Sequence, residues 1–276
     1  MQGFGNSVKD DCRALLGLFI EVGESLKGRE VPDQRYLDSE PLVGKIGCHA
    51  FSALYLSRGT RLDDVPPSRV DFVDYASIQV ITRALLESVW AFHHVFVEPN
   101  TEDEFTFRHS SWMIVGLVQR QKYPALTPSA RRQLADDRQV IDGHRQTLHR
   151  TKAFAELSAR QKERALNGQL WRPPSLRATA TAFLGNRFGA TVYSWLSSYQ
   201  HGDALSAIQI REARSREDRR QMADTLLFLV AVSISQMIKA YVRLWPQVEA
   251  VTNRYPNMER LVEAYVRFPH TEPDIE

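Results

Sequence analysis

Apolar side chains return every three or four positions along almost the whole of the 276-residue chain, the period of a helix with one buried face. No segment carries several cycles of the strict apolar and polar alternation that a half-buried strand needs, bounded by hairpin turns. The pattern predicts an all-α protein, a multi-helix bundle around a buried central helix. A first helix is expected from about Ser7 to Leu26, burying Leu15, Leu16, Phe19 and Ile20 and ending near Gly28. A second is expected over about 41–58, carrying Ile46, Phe51, Leu54 and Tyr55. Gly59 closes it, and the loop TRLDDVPPSRVD follows with its paired prolines.

The third helix, about Val70 to Val97, supplies the central element. From Tyr75 through Val97 only Arg83 and Glu87 carry formal charge, and a helix apolar nearly all round belongs inside. Pro99 ends it. Thr101 and Glu104 then form a capping box that launches a fourth helix through about Gln121, carrying Phe105, Arg108, Trp112, Val115 and Leu117.

The stretch 124–168 differs in kind. Thr127 and Pro128 have the form of an N-cap and first helical residue, and Leu134, Ile141 and Leu148 recur every seven residues on an otherwise polar helix. So narrow a stripe buries one seam. It reads as a helical insertion or arm, continued by a second helix from Ser158 to Leu166, that lies across the body or forms a homodimer through Leu134, Ile141 and Leu148. The plainer alternative is a solvated amphipathic helix.

The turn-rich GQLWRPPS leads back to the body. Ser175 caps a short helix that ends at Gly185, another runs from about Phe188 to His201, and Gly202 stops it. An arginine-rich stretch around Arg211 to Arg220 opens the last long helix, about Glu217 to Leu244, whose centre LLFLVAVSISQMI is as apolar as the third. A short amphipathic helix, Tyr255 to Phe268, precedes the tail 269–276, expected to be disordered. The organisation predicted is one helical domain, 1–268, with 124–168 inserted in it.

Composition narrows the setting. With 43% hydrophobic residues the chain can bury a sizeable core, at a length near the limit for a single one. The 35 basic and 33 acidic side chains leave +2, too balanced to announce a nucleic-acid or anionic-membrane binder. Cys12 and Cys48, both in apolar helical contexts, read as buried thiols in a reducing, cytoplasmic compartment. The N-terminus lacks a signal-peptide pattern. The longest uncharged apolar stretch, Thr225 to Ile238, falls short of the ~20 residues that span a bilayer and reads as a core helix, so no membrane partner is expected.

Candidate chemistry gathers on three helices. Arg83 and Glu87 stand four apart on one face of the third helix, with Trp90 and His94 continuing the stripe. Ile78, Ile81, Leu85, Val89, Phe92 and Phe96 line the opposite face. Arg108 sits among Phe105, Phe107, His109 and Trp112. In YSWLSSYQHGD, Tyr193, Ser197 and His201 share a face, and His201 lies in the last turn, where a helix C-terminus favours a positive imidazole.

The segments ITRALLESVWAFHHVF, FTFRHSSW and YSWLSSYQHGDALS together resemble a family of bacterial all-helical proteins of unknown function. Its marks are an Arg-x3-Glu pair in a buried helix, a later Arg near a Trp, and a Ser/Tyr-rich helix ending in His-Gly. The resemblance covers about Asp71 to Ser206 and implies a shared site at Arg83, Glu87, Arg108, Ser197 or Ser198, Tyr199 and His201, without naming its chemistry.

Other motifs are weaker. Arg138 and His144 fit the Arg-x4-6-His spacing of HEPN-type ribonuclease toxins, but 28 Arg and 8 His give about two such matches by chance. No Glu-x-x-His pair exists for a di-iron bundle, and adjacent His93 and His94 diverge by ~100° on a helix, so neither metal nor cofactor is expected. Along the arm, nine basic residues against five acidic could follow a phosphate backbone, without the aromatic interleaving that stacks single strands.

The functional expectation is a polar pocket for an anionic or phosphate-bearing small molecule or nucleotide, in a bacterial defence or stress setting. Arg83 and Arg108 would pair with the ligand, Glu87 would orient Arg83, and Ser197, Ser198, Tyr199 and His94 would line the pocket. His201 would move a proton. Two alternatives stay open: an RNase-like phosphodiesterase built on His201, and an oligomeric interaction protein with no catalytic site.

Overall fold

The computed structural model describes residues 7–31, 33–62, 70–171, 175–201 and 203–270. Among them the protein is all-α, apart from one two-stranded ribbon. The chain divides into two compact units, the first made of Met1–Trp90 with Arg177–Glu276, the second of Ala91–Leu176. The boundaries enclose more than the expected 124–168 insertion.

The first unit opens with α1 (Val8–Leu26), whose N-cap Ser7 accepts the Asp10 amide. It buries Cys12, Leu15, Leu16, Phe19 and Val22, whereas Ile20, read from sequence as inward, turns past the seam and is exposed. A 3₁₀ turn, Gln34–Ser39, leads into α2 (Glu40–Leu56). This helix meets α1 through small residues. Gly47 lies against the Phe19 ring, Ala50 and Ala53 are buried beside Ile46 and Leu54, and Phe51 and Tyr55 face outward. Cys48 is exposed as well, not buried as expected, while burial pushes the Cys12 thiol up to about 12.

The turn-rich segment after Gly59 holds the ribbon that periodicity missed. β1 (Thr60–Leu62) pairs antiparallel with β2 (Val70–Phe72), Arg61 opposite Asp71, and the paired prolines lie outside the described residues. Three residues per strand are too few to show alternation. Next comes α3 (Tyr75–Phe92).

The second unit begins with a π-helical turn, His93–Val97, where the sequence predicts continuous α-helix. In α4 (Glu102–Arg120) Thr101 accepts the Glu104 amide as expected, and the Glu104 carboxylate reaches back to the Asn100 amide. Then come α5 (Pro128–His149), capped by Thr127, α6 (Lys152–Ala155), and α7 (Ala159–Leu166), opened by a Ser158/Gln161 capping box.

The stretch read as an arm is half of this unit. The α5 stripe packs on α4, and Ile114, Leu148, Phe154 and Ala165 form the buried core of the unit. Asp137, buried on α5, is held by Arg120 of α4 (Nε to Oδ2, 2.6 Å) and by Gln133 (3.0 Å). Ile141 and Leu148 are thus covered within one chain, and the homodimer seam expected through them has no open apolar surface at those two positions.

The chain returns to the first unit in α8 (Leu176–His201), which bends at Gly185 (φ 77°, ψ 159°) where the sequence predicts a helix end. A Cβ at Gly185 would meet the Pro269 carbonyl, and one at Gly189 the Ala180 backbone, so two glycines allow the halves of α8 to cross. A separate helix, α9 (Ala204–Glu212), then occupies part of the arginine-rich stretch. Ala213 leaves helical geometry and Ser215 caps α10 (Arg216–Leu244) with Asp218, which is why the two helices do not run together. The last helices are α11 (Glu249–Thr252) and α12 (Pro256–Arg267), followed by a 3₁₀ turn at Phe268–His270; the rest of the predicted tail, 271–276, lies outside the described residues.

By length and composition α10 is apolar enough to cross a membrane, over a longer window than the sequence reading allowed. About 72% of that window is buried inside the chain against α1, α2 and α12. It is the core helix of the first unit.

Leu148 is fully buried at the centre of the second unit, so Leu148→Ala should cost about 2–5 kcal/mol, whereas Val140→Ala on the exposed face of the same helix should stay within about 0.5 kcal/mol. Urea unfolding followed by circular dichroism distinguishes them. Equal midpoints for the two variants would contradict the packing described.

Candidate functional site

Residues 75, 79, 83 and 87 succeed one another at four-residue intervals on α3, and Trp90 follows on the same face. Within the first unit this stripe meets the second half of α8. The Gln79 amide donates to the Trp195 carbonyl (3.0 Å), which also accepts from Ser198 (2.8 Å). Arg83 donates from Nε to Glu87 (3.0 Å) and from Nη2 to the Tyr193 hydroxyl (3.2 Å), with its guanidinium carbon 5.1 Å from the Tyr193 ring centre. Trp90 closes the seam against Tyr193 (centroids 5.7 Å) and Phe183 (6.4 Å).

The pair is not a solvent-facing edge: 12% of the Arg83 side chain and 29% of Glu87 remain exposed. One carboxylate and one phenol do not use all five guanidinium protons. Arg83 Nη1 is buried without a hydrogen-bond partner, and so are Gln79 Oε1 and Trp90 Nε1 on the same stripe. Each such group costs about 1–3 kcal/mol of desolvation until something bonds to it. At the end of the seam Tyr75 and Tyr199 meet edge to face (6.2 Å), and burial raises the Tyr199 hydroxyl above its ordinary value, with Tyr75 adding to the effect.

The remaining expected residues distribute as follows. Ser197 bonds back to the Tyr193 carbonyl (2.7 Å) and Ser198 to that of Trp195, so both hydroxyl protons serve their own helix. His201 is exposed at the end of α8, two turns and about 12 Å along the axis from Tyr193. The α8 side chain that reaches Arg83 is therefore Tyr193. Sequence spacing placed Tyr193, Ser197 and His201 on one face but could not select among them. The four-residue series back from Arg83 to Gln79 and Tyr75 is visible in the sequence, where neutral side chains give no signal of a site.

Arg108 and His94 belong to the second unit and form a different network. Arg108 Nη1 lies 2.8 Å from the His94 carbonyl, 2.8 Å from Glu98 Oε2 and 3.0 Å from His94 Nδ1, while Nη2 pairs with Glu104. Nη1 donates to the His94 carbonyl and to Glu98, and His94 Nδ1 lies 3.3 Å from the same Glu98 oxygen. This guanidinium is neutralised by two carboxylates and ties the π-helical turn to α4.

His144 and Arg138 are engaged in packing too, with His144 Nδ1 3.3 Å from Ser110 Oγ and Arg138 donating to Gln121 (3.1 Å). Among the described residues no group of three or more His, Cys, Asp or Glu gathers as metal ligands. The chain matches no protein-family model, no curated protein and no solved structure.

The His94 and Arg108 hydrogen bonds hold the Glu98 carboxyl down at about 2, against an ordinary 4.5. Its contribution to stability is in full force above about 4.5 and fades as pH falls through about 2. Half of the Glu98 side chain is exposed, so screening keeps the effect modest. Across that interval Glu98→Gln should lose less stability than the parent in acid titrations followed by circular dichroism; parallel curves would show that this network does not couple protonation to folding.

Proposed function

We propose that the α3–α8 seam of the first unit binds a small anionic or phosphate-bearing ligand. The observation that carries this reading is Arg83 Nη1, a guanidinium donor taken out of water and given no acceptor by the chain. Glu87 and Tyr193 fix the fork by its other nitrogens, which leaves the open one pre-aimed and lowers the entropy a ligand must overcome.

Trp90 Nε1 offers a second donor, and Gln79 Oε1 an acceptor for a ligand hydroxyl or amino group. Because Glu87 already offsets the charge of Arg83, affinity should rest on directed hydrogen bonds more than on net charge. Binding without turnover is the reading favoured, because Tyr193 and not His201 is the α8 residue that reaches Arg83. The free thiols of Cys12 and Cys48 suit a reducing, cytoplasmic setting.

Isothermal titration with inorganic phosphate, pyrophosphate and nucleoside mono- and triphosphates tests the proposal. At least one probe should bind the parent. Arg83→Gln should weaken it about tenfold or more, equivalent to about 1.4 kcal/mol, and Arg83→Lys should fail to restore it because a point charge cannot replace the fork. Circular dichroism checks that the variants fold. No binding by any probe, or undiminished binding to Arg83→Gln, refutes the assignment.

A further inference from the structure

A cavity of about 390 Å³ opens in the first unit where α1 and α10 end and α2 begins, remote in sequence from the α3–α8 seam. Its inner wall is aromatic. Trp245 stands 5.5 Å from Tyr36 at 66° and 4.9 Å from Tyr241 at 41°, so the three rings form a corner instead of a parallel stack. Tyr241 and Trp245 are buried one helical turn apart, and Tyr36 comes from the 3₁₀ turn before α2. Aromatic faces carry negative quadrupole potential and attract a cation within about 6 Å.

The other groups at the cavity reinforce that sign. Glu24, Glu30 and Glu40 face it with Lys27 and Arg29, three carboxylates against two cations. Lys27 points into solvent and is paired with Glu24 (3.4 Å). The C-terminal ends of α1 and α10, each a partial negative charge, both reach the cavity. The opposing positive end, the start of α2, carries Glu40 in its first turn.

We infer that this aromatic corner is a second binding site, for a small organic cation bearing a methylated ammonium group. Methyl groups would pack on the rings, and the diffuse positive charge would meet their faces and the carboxylate rim with little desolvation cost. A compact inorganic cation would lose its water to rings that cannot replace it. The volume falls within the range of ordinary small-molecule sites. Burial, and secondarily Glu40, raises the Tyr241 hydroxyl above its ordinary value, so that ring stays neutral and electron-rich.

Choline and 3,3-dimethyl-1-butanol, its uncharged isostere, separate charge recognition from apolar burial when each is titrated into the full chain by calorimetry. Choline should bind, the isostere should bind at least about fivefold more weakly, and Tyr36→Leu should weaken choline by a similar factor. Glu40→Gln, at an exposed position that leaves the aromatic wall intact, should weaken choline and not the isostere. Trp245 is buried, so Trp245→Phe serves as the conservative partner variant and should retain choline binding only in part. Absence of choline binding at millimolar concentration, equal binding of the isostere, or indifference to both Tyr36→Leu and Glu40→Gln in a folded chain overturns the inference.

Discussion

Fourteen residues of α10 are withdrawn from water, and the rest of the first unit is arranged to cover them. A helix that apolar has no exposed face to offer, so α1, α2 and α12 each have to present an apolar or small-residue face to it. Small residues on α2 follow from this demand. Gly47, Ala50 and Ala53 let that helix come close to α1, and its aromatic side chains Phe51 and Tyr55 are left outside. The same constraint fixes the end of α10 and so sets Tyr241 and Trp245 at the cavity where α1 stops. The driving force is hydrophobic burial, and the aromatic corner is a geometric consequence of it.

Three paired guanidiniums show what separates a structural ion pair from a candidate site. Arg120 gives two nitrogens to one carboxylate, Asp137, and so joins α4 to α5. Arg108 meets two carboxylates and a carbonyl. Arg83 has one carboxylate, one phenol, an aromatic face and a nitrogen with nothing. Charge alone would rank these three alike. Proton counting does not, because a buried donor without an acceptor keeps its full desolvation cost.

What could be read from the chain was what local chemistry decides. Ser7, Thr101, Thr127 and Ser158 cap helices where a hydroxyl precedes an apolar repeat, and the break at Gly185 follows from a residue that tolerates positive φ. The polarity of α3 at Arg83 and Glu87 was equally legible, since two charges stand out in a run of apolar residues. Features decided by a distant partner were not legible. Ile20 and Cys48 look inward by periodicity and are exposed, because the seams they would fill are set by the approach of another helix. The α5 stripe has the pattern of an arm because the sequence does not show which helix covers it, and its partner is α4. Arg108 and Arg83 were joined into one pocket from sequence, whereas they stand in separate compact units with separate partners.

The unbonded polar atoms on α3 bear on stability. Gln79, Arg83 and Trp90 hold buried polar atoms along one helix face, each at a cost of about 1–3 kcal/mol while unbonded. Set against a typical net stability of 5–15 kcal/mol, several such groups on one seam are a substantial burden. A molecule that bonds to them only in the folded state returns part of that cost and stabilises by mass action. Replacing all three by apolar groups of similar shape would remove the same burden without a ligand. The desolvation cost of these atoms is therefore the physical link between the stability of this seam and the ligand proposed for it.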